Sequence, residues 1–315
     1  MILAVSMSKN PPSPADGYRG RFAPSPTGPL HAGSLVAALG SWLDARKNGG
    51  KWLLRMEDLD TPRCVPGAVQ VIQSQLLACG LFWDEEPSYQ SSRQEGYHNA
   101  LVELAKQKLL YPCTCSRQMI ANTLALLHIQ TPRNQEMVYP GTCRPLAADM
   151  HDCHQWDAKV AWRIALPKDC HISFEDGILG PQEQDLLREV GDFVLRRSDG
   201  VFTYQLAVVV DDALQGITHI VRGADLLSNT ARQIFLQRQL GYITPHYKHL
   251  PLVLDEHGEK LSKQTLATQI QTHNPEDVLM ELRKAGQHLG LQGLPDGDTT
   301  TVAEWLLAAT QAWHL

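Results

Sequence analysis

The chain has 315 residues, of which 43% are hydrophobic and 20% charged, so it can bury a core large enough for an α/β domain with insertions. Its net charge of −6 excludes a surface coated with basic charge for indiscriminate nucleic-acid binding, and any RNA contact must therefore be a local patch. The apolar start MILAVSM is too short for a signal sequence and no apolar run reaches membrane-spanning length, which predicts a cytoplasmic protein without membrane contact.

The first predicted elements form one βαβ unit that follows a disordered tail. Residues 1–17 are Pro-rich and polar, a composition typical of disorder. Residues 18–60 then predict a strand ending at Ala23, a helix opened by Pro29 and a second strand over Lys51–Met56. The loop between the first strand and the helix lies at the carboxyl end of the strand, where open α/β sheets bind their ligands.

The first turn of this helix predicts a phosphate site. His31 and Gly33 lie where free backbone N–H groups and the positive end of the helix dipole attract anions. The glycine leaves room for a nucleotide against the backbone, and His31 offers a donor to phosphate oxygens. Taken alone, this histidine would be interpreted as a surface helix residue.

The surrounding sequence changes that interpretation. RFAPSPTGPLHAGS closely resembles the signature of class I glutamyl-tRNA synthetases, in which a His-x-Gly-His element binds ATP; here the element reads HAGS. The Lys-Met-Ser-Lys-Ser half of the signature is matched late in the chain by KLSKQ at positions 260–264. The last position of each element departs from the family pattern. The resemblance implies that ATP, with Mg²⁺, is bound by His31, Gly33, Ser34 and Lys263, and that the catalytic residues are His31, Gly33, Lys260 and Lys263.

Three cysteines in the middle of the chain form a pattern typical of a metal site. Cys113 and Cys115 flank one residue in YPCTCSR, and Cys143 follows in a Pro/Gly-rich turn, so three thiolates could converge on one Zn²⁺ that needs four ligands. The resemblance implies Tyr139 as the fourth ligand of a structural zinc. Ligand chemistry alone ranks three other residues above a tyrosine, namely His151, Cys153 and His154. Unligated buried thiols are the remaining interpretation.

Strand and helix patterns alternate through the rest of the chain. A helix after Cys64 places four apolar residues on one face, Val69, Ile72, Leu76 and Leu77. Further on, the sequence predicts a strand over 159–166, a hairpin turn within 193–204, a buried parallel strand ending at Arg222, a helix over 229–240, a strand beginning at Pro251, and helices near Val278 and Trp305.

A set of charged residues at predicted strand ends suits a dicarboxylic amino acid. Such a substrate requires two cations and one anion in one pocket, and guanidinium is preferred because its fork pairs with a planar carboxylate. The resemblance assigns Arg21, Glu57 and Arg222 to glutamate. It adds polar contacts from Ala23, Ser25 and Tyr204. A carboxylate-binding arginine also explains rejection of glutamine, whose amide N–H donors would meet a group without an acceptor.

The short length of the chain after the lysine motif narrows the resemblance to one group within the family. Only 51 residues follow Gln264, too few for an anticodon-binding domain of ordinary size. Truncated relatives with this signature are the glutamyl-queuosine tRNA(Asp) synthetases, which implies a monomeric ligase that forms glutamyl-adenylate from glutamate and ATP. The acceptor implied is the queuosine base at the wobble position of tRNA(Asp). Two alternatives stay open, a compact glutamyl-tRNA synthetase that charges a tRNA 3′ end and a catalytically inactive tRNA-binding paralogue.

The predicted fold class is α/β, with a Rossmann-type nucleotide-binding fold as in class I synthetases. The resemblance implies an inserted zinc-containing subdomain similar to an acceptor-binding domain, and no anticodon-binding domain. The predicted divisions are a tail at 1–17, the first half of the catalytic domain at 18–110, the zinc-binding insertion at 111–195, the second catalytic half with the lysine loop at 196–264, and a C-terminal helical segment at 265–315.

Overall fold

The computed structural model describes residues 17–129, 137–145, 159–253 and 269–315. Strands and helices alternate through these ranges, and the predicted α/β class is confirmed. The predicted tail and the lysine loop lie outside the described residues. The elements, in chain order, are β1 Arg19–Phe22, α1 Ala32–Lys47, β2 Lys51–Met56, α2 Ala68–Ala78, β3 Ser88–Tyr89, α3 Gln94–Lys106, β4 Leu110–Cys113, α4 Arg117–Leu126, β5 Ala161–Ile164, β6 His171–Asp176, β7 Gly180–Asp185, α5 Leu186–Glu189, β8 Val194–Arg196, α6 Tyr204–Leu214, β9 His219–Gly223, α7 Leu227–Leu240, β10 His246–Leu250, α8 Pro275–His288 and α9 Val302–Ala312.

Two sheets meet along β1 and β9 to form the centre of the molecule. Strands β1, β2 and β3 pair in parallel, and so do β9, β10 and β6, with β7 antiparallel to β6. The two groups adjoin because the Thr218 N–H donates to the Arg19 carbonyl at 2.9 Å, and the Arg19 N–H donates to the Thr218 hydroxyl at 2.9 Å. The chain runs outward from this junction in both directions, so the β1/β9 boundary is the switch point at which α/β sheets bind ligands.

The first βαβ unit follows the predicted order with one difference. The predicted second strand, Lys51–Met56, is confirmed as β2. The helix begins at Ala32, however, and not at Pro29, because His31 is its extended N-cap residue. The His31 N–H donates to the Ser34 hydroxyl at 2.7 Å, and the Ser34 N–H donates to His31 Nδ1 at 3.3 Å. This reciprocal cap satisfies backbone donors that the first turn otherwise leaves open.

The C-terminal helices α8 and α9 pack against α1, and both were predicted from the sequence. A buried carboxylate on α1 ties the end of α9 to the central sheets. Asp44 accepts from the Tyr18 hydroxyl at 2.6 Å, from Trp313 Nε1 at 2.8 Å and from Lys248 Nζ at 2.8 Å. A single carboxylate therefore joins the residue before β1, strand β10 and the residue after α9.

A third sheet is antiparallel, in the order β4-β5-β8. A buried hydrogen bond anchors this sheet: the Tyr111 hydroxyl on β4 donates to the buried Asp192 carboxylate at 2.6 Å. The hairpin turn predicted within 193–204 is confirmed, since Arg196 and Phe202 form an antiparallel bridge. Strands β6 and β7, which come between β5 and β8 in sequence, belong to the sheet that contains β10.

Two further details of the sequence prediction were wrong. The strand expected from Pro251 lies earlier, at His246–Leu250, because proline has no N–H to donate to a sheet ladder. On α2, Ile72 and Leu76 are fully buried, whereas Leu77 is 46% exposed. Leu77 follows Leu76 directly and therefore points about 100° away from it around the helix. None of the helices in the described ranges is long and apolar enough to cross a membrane.

Candidate active site

A cleft of about 520 Å³ opens at the carboxyl ends of β1 and β9, beside the amino end of α1. This volume is in the range of small-molecule sites. The glutamate and ATP residues predicted within the described ranges all line it, namely Arg21, Ala23, Ser25, His31, Gly33, Ser34, Glu57, Tyr204 and Arg222. Lys260 and Lys263 lie outside the described residues. Val253, the last described residue before that gap, lines the cleft, and Gln269, the first after it, is bridged to His31.

The amino end of α1 presents His31 to the cleft in a fixed orientation. Because Nδ1 accepts the Ser34 N–H, the proton of the neutral ring lies on Nε2, which is then a donor. The Ser34 hydroxyl donates to the His31 carbonyl at 2.8 Å. Serine at the position where the family signature has a second histidine therefore completes the helix cap.

Arg222 is the next-to-last residue of β9, and its guanidinium is held entirely by neutral partners. Its Nε donates to His249 Nε2 at 3.1 Å, and its Nη1 donates to the Tyr204 hydroxyl at 3.3 Å. Its Nη2 donates to the Thr230 hydroxyl at 2.8 Å and to the Leu226 carbonyl at 3.4 Å. Within the described part of the chain, no carboxylate lies within ion-pair distance of this guanidinium, although Arg222 is only 4% exposed. A buried cation of this kind is suited to an incoming carboxylate.

Arg21 has different surroundings, because it belongs to a buried charge cluster of Arg21, Arg55, Glu57, Asp211 and Asp212. Its Nε and Nη2 donate to the two Asp212 carboxylate oxygens at 3.0 and 3.4 Å. Arg55, fully buried on β2, lies 2.8 Å from Asp212. Arg55 also lies 3.8 Å from Asp211 and 3.9 Å from Glu57. Arg21 was predicted to be a cation available to the substrate, whereas in the structure it is paired with a carboxylate of the same chain.

Arg93 lies 3.3 Å from Asp211, so with this neighbour the charge cluster has as many bases as acids, and burial rather than net charge determines the ionisation of Glu57. Burial raises the pKa of Glu57 to about 7, although Arg55 and Arg21 act in the opposite direction. Burial opposes ionisation of Asp212 as well, but Arg21 and Arg55 hold the pKa of Asp212 below its usual range. Arg21 and Glu57 are the members of the cluster that line the cleft, and because Arg21 is paired with Asp212, the Glu57 carboxylate is the charge that this edge offers to a ligand. That edge of the cleft suits an ammonium group.

Sequence reasoning missed Arg55, Asp211, Asp212 and His249. A signal for three of them was present. Arg55 interrupts the apolar strand KWLLRM, and the aspartates interrupt the apolar helix YQLAVVVDDAL. Charged residues are almost never fully buried unless they are paired, so each interruption indicates a buried partner elsewhere in the chain. His249 carries no comparable signal in the sequence.

The predicted metal residues also come together, on the third sheet. The sulfur atoms of Cys113, Cys115 and Cys143 lie within 4.8 Å of one another. The Tyr139 hydroxyl lies 3.4 Å from Cys113 Sγ and 3.5 Å from Cys115 Sγ. The Arg163 guanidinium stacks on the Tyr139 ring at 3.8 Å, which fixes the ring against the thiols. His151, Cys153 and His154 lie outside the described residues.

Sequence comparisons place the chain among known proteins. A family profile described as "tRNA synthetases class I (E and Q), catalytic domain" matches residues 18–295. The glutamyl-Q tRNA(Asp) synthetase of Burkholderia cenocepacia is 53% identical over 299 residues, which cover 94% of this chain and 96% of that relative. The protein of the same name from Albidiferax ferrireducens is 51% identical over 310 residues, which cover 94% of this chain and 98% of the relative.

Two solved structures of glutamate-tRNA synthetases match most of this chain. The glutamate-tRNA synthetase of Elizabethkingia anophelis matches 92% of this chain with a TM-score of 0.71 and 25% identity. A glutamate tRNA ligase from Elizabethkingia meningosepticum, in complex with its amino acid, matches 92% with a TM-score of 0.70 and 25% identity. This chain spans 65% and 64% of the length of those two proteins. The chain therefore belongs to the class I (E and Q) tRNA synthetases and, within them, to the glutamyl-Q tRNA(Asp) synthetase family.

Proposed function

We propose that this protein activates L-glutamate with ATP to form glutamyl-adenylate and transfers the glutamyl group to the queuosine base of tRNA(Asp). The observation that carries the proposal is a cleft with opposite charges at its two edges. Arg222, which has no carboxylate partner among the described residues, lines the same cleft as Glu57, which faces it from the charge cluster. A zwitterion with an extra carboxylate is complementary to this arrangement.

Each group in the cleft has a role in this proposal. Arg222 and Tyr204 bind a glutamate carboxylate, and Glu57 binds the ammonium group. The amino end of α1 binds the ATP phosphates, with His31 Nε2 as a donor to them. The α-carboxylate then attacks the α-phosphorus, pyrophosphate leaves with Mg²⁺, and no covalent enzyme intermediate forms. Lys260 and Lys263 are proposed to stabilise charge on the triphosphate during this step.

A pH dependence follows from Glu57. Because its pKa in the free enzyme is about 7, Glu57 loses its charge below that pH and can no longer pair with the substrate ammonium. We expect kcat/KM for glutamate to fall by up to about tenfold per pH unit below neutrality. The measurement is ATP–pyrophosphate exchange from about pH 5.5 to 8.5, a range that spans the ordinary ionisation of histidine and the shifted glutamate. Glu57→Gln should be slower and flat across this range, and a wild-type profile that is equally flat would contradict the role of Glu57.

We also propose one structural Zn²⁺ ion held by Cys113, Cys115, Tyr139 and Cys143. The spacing of the donors fits this ion. With Zn–S near 2.3 Å and Zn–O near 2.0 Å, a tetrahedral site has donor separations of about 3.5 to 3.8 Å. The Cys115 and Cys143 sulfurs are 3.5 Å apart, and the Tyr139 oxygen is 3.4 Å from the Cys113 sulfur and 3.5 Å from the Cys115 sulfur. When bound, zinc would join β4 to the turn that carries Cys143.

Metal analysis tests this site without reference to activity. Protein purified without chelator should contain about one zinc per chain by elemental analysis, and Cys143→Ser should lose most of it because a structural site needs four ligands. Cys64→Ser, a cysteine outside the cluster, is the matched control and should keep its zinc. Wild-type protein without zinc contradicts the site. Full occupancy in Tyr139→Phe would instead assign the fourth position to His151, Cys153 or His154.

Labelled glutamate tests the function directly. Enzyme, ATP and labelled glutamate are incubated with tRNA(Asp) that either carries or lacks queuosine, and the label is then mapped by nuclease digestion. We expect glutamate-dependent pyrophosphate exchange without tRNA, and label in the anticodon loop only when queuosine is present. Label at the 3′ end of tRNA lacking queuosine would favour a compact glutamyl-tRNA synthetase. Absence of both exchange and label would favour an inactive tRNA-binding paralogue.

A further inference from the structure

Behind Arg222, away from the cleft, lies a hydrogen-bonded pair of buried side chains. His249 on β10 is fully buried and does not line the cleft, and the Asp176 carboxylate at the end of β6 is 1% exposed. His249 Nδ1 lies 2.5 Å from Asp176 Oδ2, and His249 Nε2 lies 3.1 Å from Arg222 Nε. The three side chains form a continuous line, Asp176–His249–Arg222, that ends at the cleft.

The partners at each end determine the state of the imidazole ring. An arginine Nε–H can only donate, so His249 Nε2 must accept, and the single proton of the neutral ring lies on Nδ1, facing Asp176. The Ile178 and Leu179 N–H groups donate to the other Asp176 oxygen at 3.1 and 3.0 Å, which keeps that carboxylate in place and charged. Burial lowers the pKa of His249, in agreement with a neutral ring.

This arrangement gives Arg222 a counter-charge that does not occupy its ligand-binding side. A carboxylate in direct contact, such as Asp212 on Arg21, would compete with the carboxylate of a substrate. Asp176 instead acts through the ring of His249. Of the five N–H donors of an arginine, the described contacts of Arg222 use Nε, both hydrogens of Nη2 and one of Nη1. The second Nη1 hydrogen and the Tyr204 hydroxyl hydrogen remain for a ligand.

We infer that His249 and Asp176 are positioning residues that orient Arg222 for the substrate carboxylate and set the preference for glutamate over glutamine. The inference rests on the proposed function. If His249 stops accepting from Nε, the guanidinium can rotate about its terminal bonds and the fixed pair of donors at the cleft is lost. Glutamate then binds more weakly, whereas ATP at the amino end of α1 is unaffected.

Two polar substitutions of His249 separate the contacts of its two ring nitrogens, Nδ1 with Asp176 and Nε2 with Arg222 and Thr230. The side-chain oxygen of glutamine can occupy the place of Nε2, and the side-chain nitrogen of asparagine can occupy the place of Nδ1. His249→Gln therefore keeps an acceptor for Arg222, while His249→Asn keeps only the contact with Asp176. We expect His249→Asn to raise the glutamate KM about 10- to 100-fold, the range for losing a hydrogen bond to a charged group, with the ATP KM unchanged. His249→Gln should stay within about threefold of the wild type.

The control variant is His246→Asn, on the exposed start of the same strand, which should leave both KM values unchanged. The readouts are pyrophosphate exchange with glutamate and with glutamine, together with the melting temperature of each variant. The glutamate/glutamine ratio of kcat/KM should fall in His249→Asn and be retained in His249→Gln. Equal glutamate KM values in the two variants, or KM values for glutamate and ATP that rise together with falling stability, would overturn the inference and leave His249 a purely structural residue.

A spectroscopic measurement tests the pair independently of catalysis. A buried imidazole N–H held 2.5 Å from a carboxylate oxygen should give a far-downfield proton NMR signal in the wild type. The signal should shift in Asp176→Asn and be absent in both His249 variants. A wild-type spectrum without it contradicts the pair whether or not the enzyme is active. Failure of the proposed function would appear differently, as a wild-type enzyme that lacks glutamate-dependent exchange but retains this signal.

Discussion

Replacing Arg222 with leucine should lower kcat/KM for glutamate by about 100- to 1,000-fold, because removing one partner of a buried hydrogen-bonded charge pair costs roughly 2–5 kcal/mol. The substrate carboxylate would then meet an apolar side chain at the end of β9 in place of the guanidinium, beside the Tyr204 hydroxyl. The measurement is pyrophosphate exchange at varied glutamate and saturating ATP. Arg222→Lys should also be impaired, since a point charge cannot make the same set of contacts as the guanidinium fork.

The matched control is Arg188→Leu, whose side chain is 86% exposed on α5 and pairs with Asp185 at the surface. This variant should be as active as the wild type. Melting temperatures of both variants separate a loss of binding from a loss of folding. An Arg222→Leu enzyme that stays folded and keeps kcat/KM within about threefold of the wild type would show that Arg222 does not bind the substrate carboxylate.

Asp212→Leu should destabilise the protein by about 3–5 kcal/mol, because it leaves Arg21 and Arg55 buried without their shared carboxylate. Both arginines are at most 4% exposed, so water cannot replace the lost partner. The free energy of unfolding is measured by urea denaturation. Asp199→Leu, which removes a surface carboxylate paired with Arg197, is the control and should change stability by less than about 0.5 kcal/mol.

The effect of Asp212 should depend on pH in a defined direction. Its pKa is lower in the folded chain than in the unfolded chain, so its contribution is fully present above the unfolded value of about 4 and is lost as the pH falls through the folded pKa. The stability difference between wild type and Asp212→Leu should therefore shrink in acid. A difference below about 1 kcal/mol at neutral pH would show that the charge cluster contributes little to folding.

The sequence predicted local structure well where one signal dominated. β2 has the predicted bounds because a short apolar strand follows an Asn-Gly-Gly stop, and the nine predicted cleft residues of the described ranges do line one cleft. The start of α1 was missed because the N-cap is a histidine, and Ser34 rather than an upstream residue completes the cap. Proline at position 29 is a common first helical residue, but here the side-chain cap determines the start.

Pairings between residues far apart in the sequence could not be predicted from local sequence patterns. Arg21 and Asp212 are 191 residues apart, and Arg222 and His249 are 27 residues apart on separate strands. Each is an ordinary residue in its own segment, and only the packing of strands and helices brings the partners together. The distinction between Arg21, which is paired with a carboxylate, and Arg222, which has no carboxylate partner among the described residues, therefore depends on tertiary structure and not on local pattern.

The junction between β1 and β9 also bears on how the chain folds during synthesis. Arg19 and Thr218, which join the two sheets, are 199 positions apart in sequence. Until the ribosome has released β9, the sheet of β1, β2 and β3 has an unpaired edge at β1, and unpaired edges of parallel sheets are prone to aggregate. Contacts of such large sequence separation also make folding slow. Strand β1 is thus synthesised early, but its open edge is covered only after β9 has been made. The nascent chain should therefore need protection of this edge, as chaperones provide, through most of its translation.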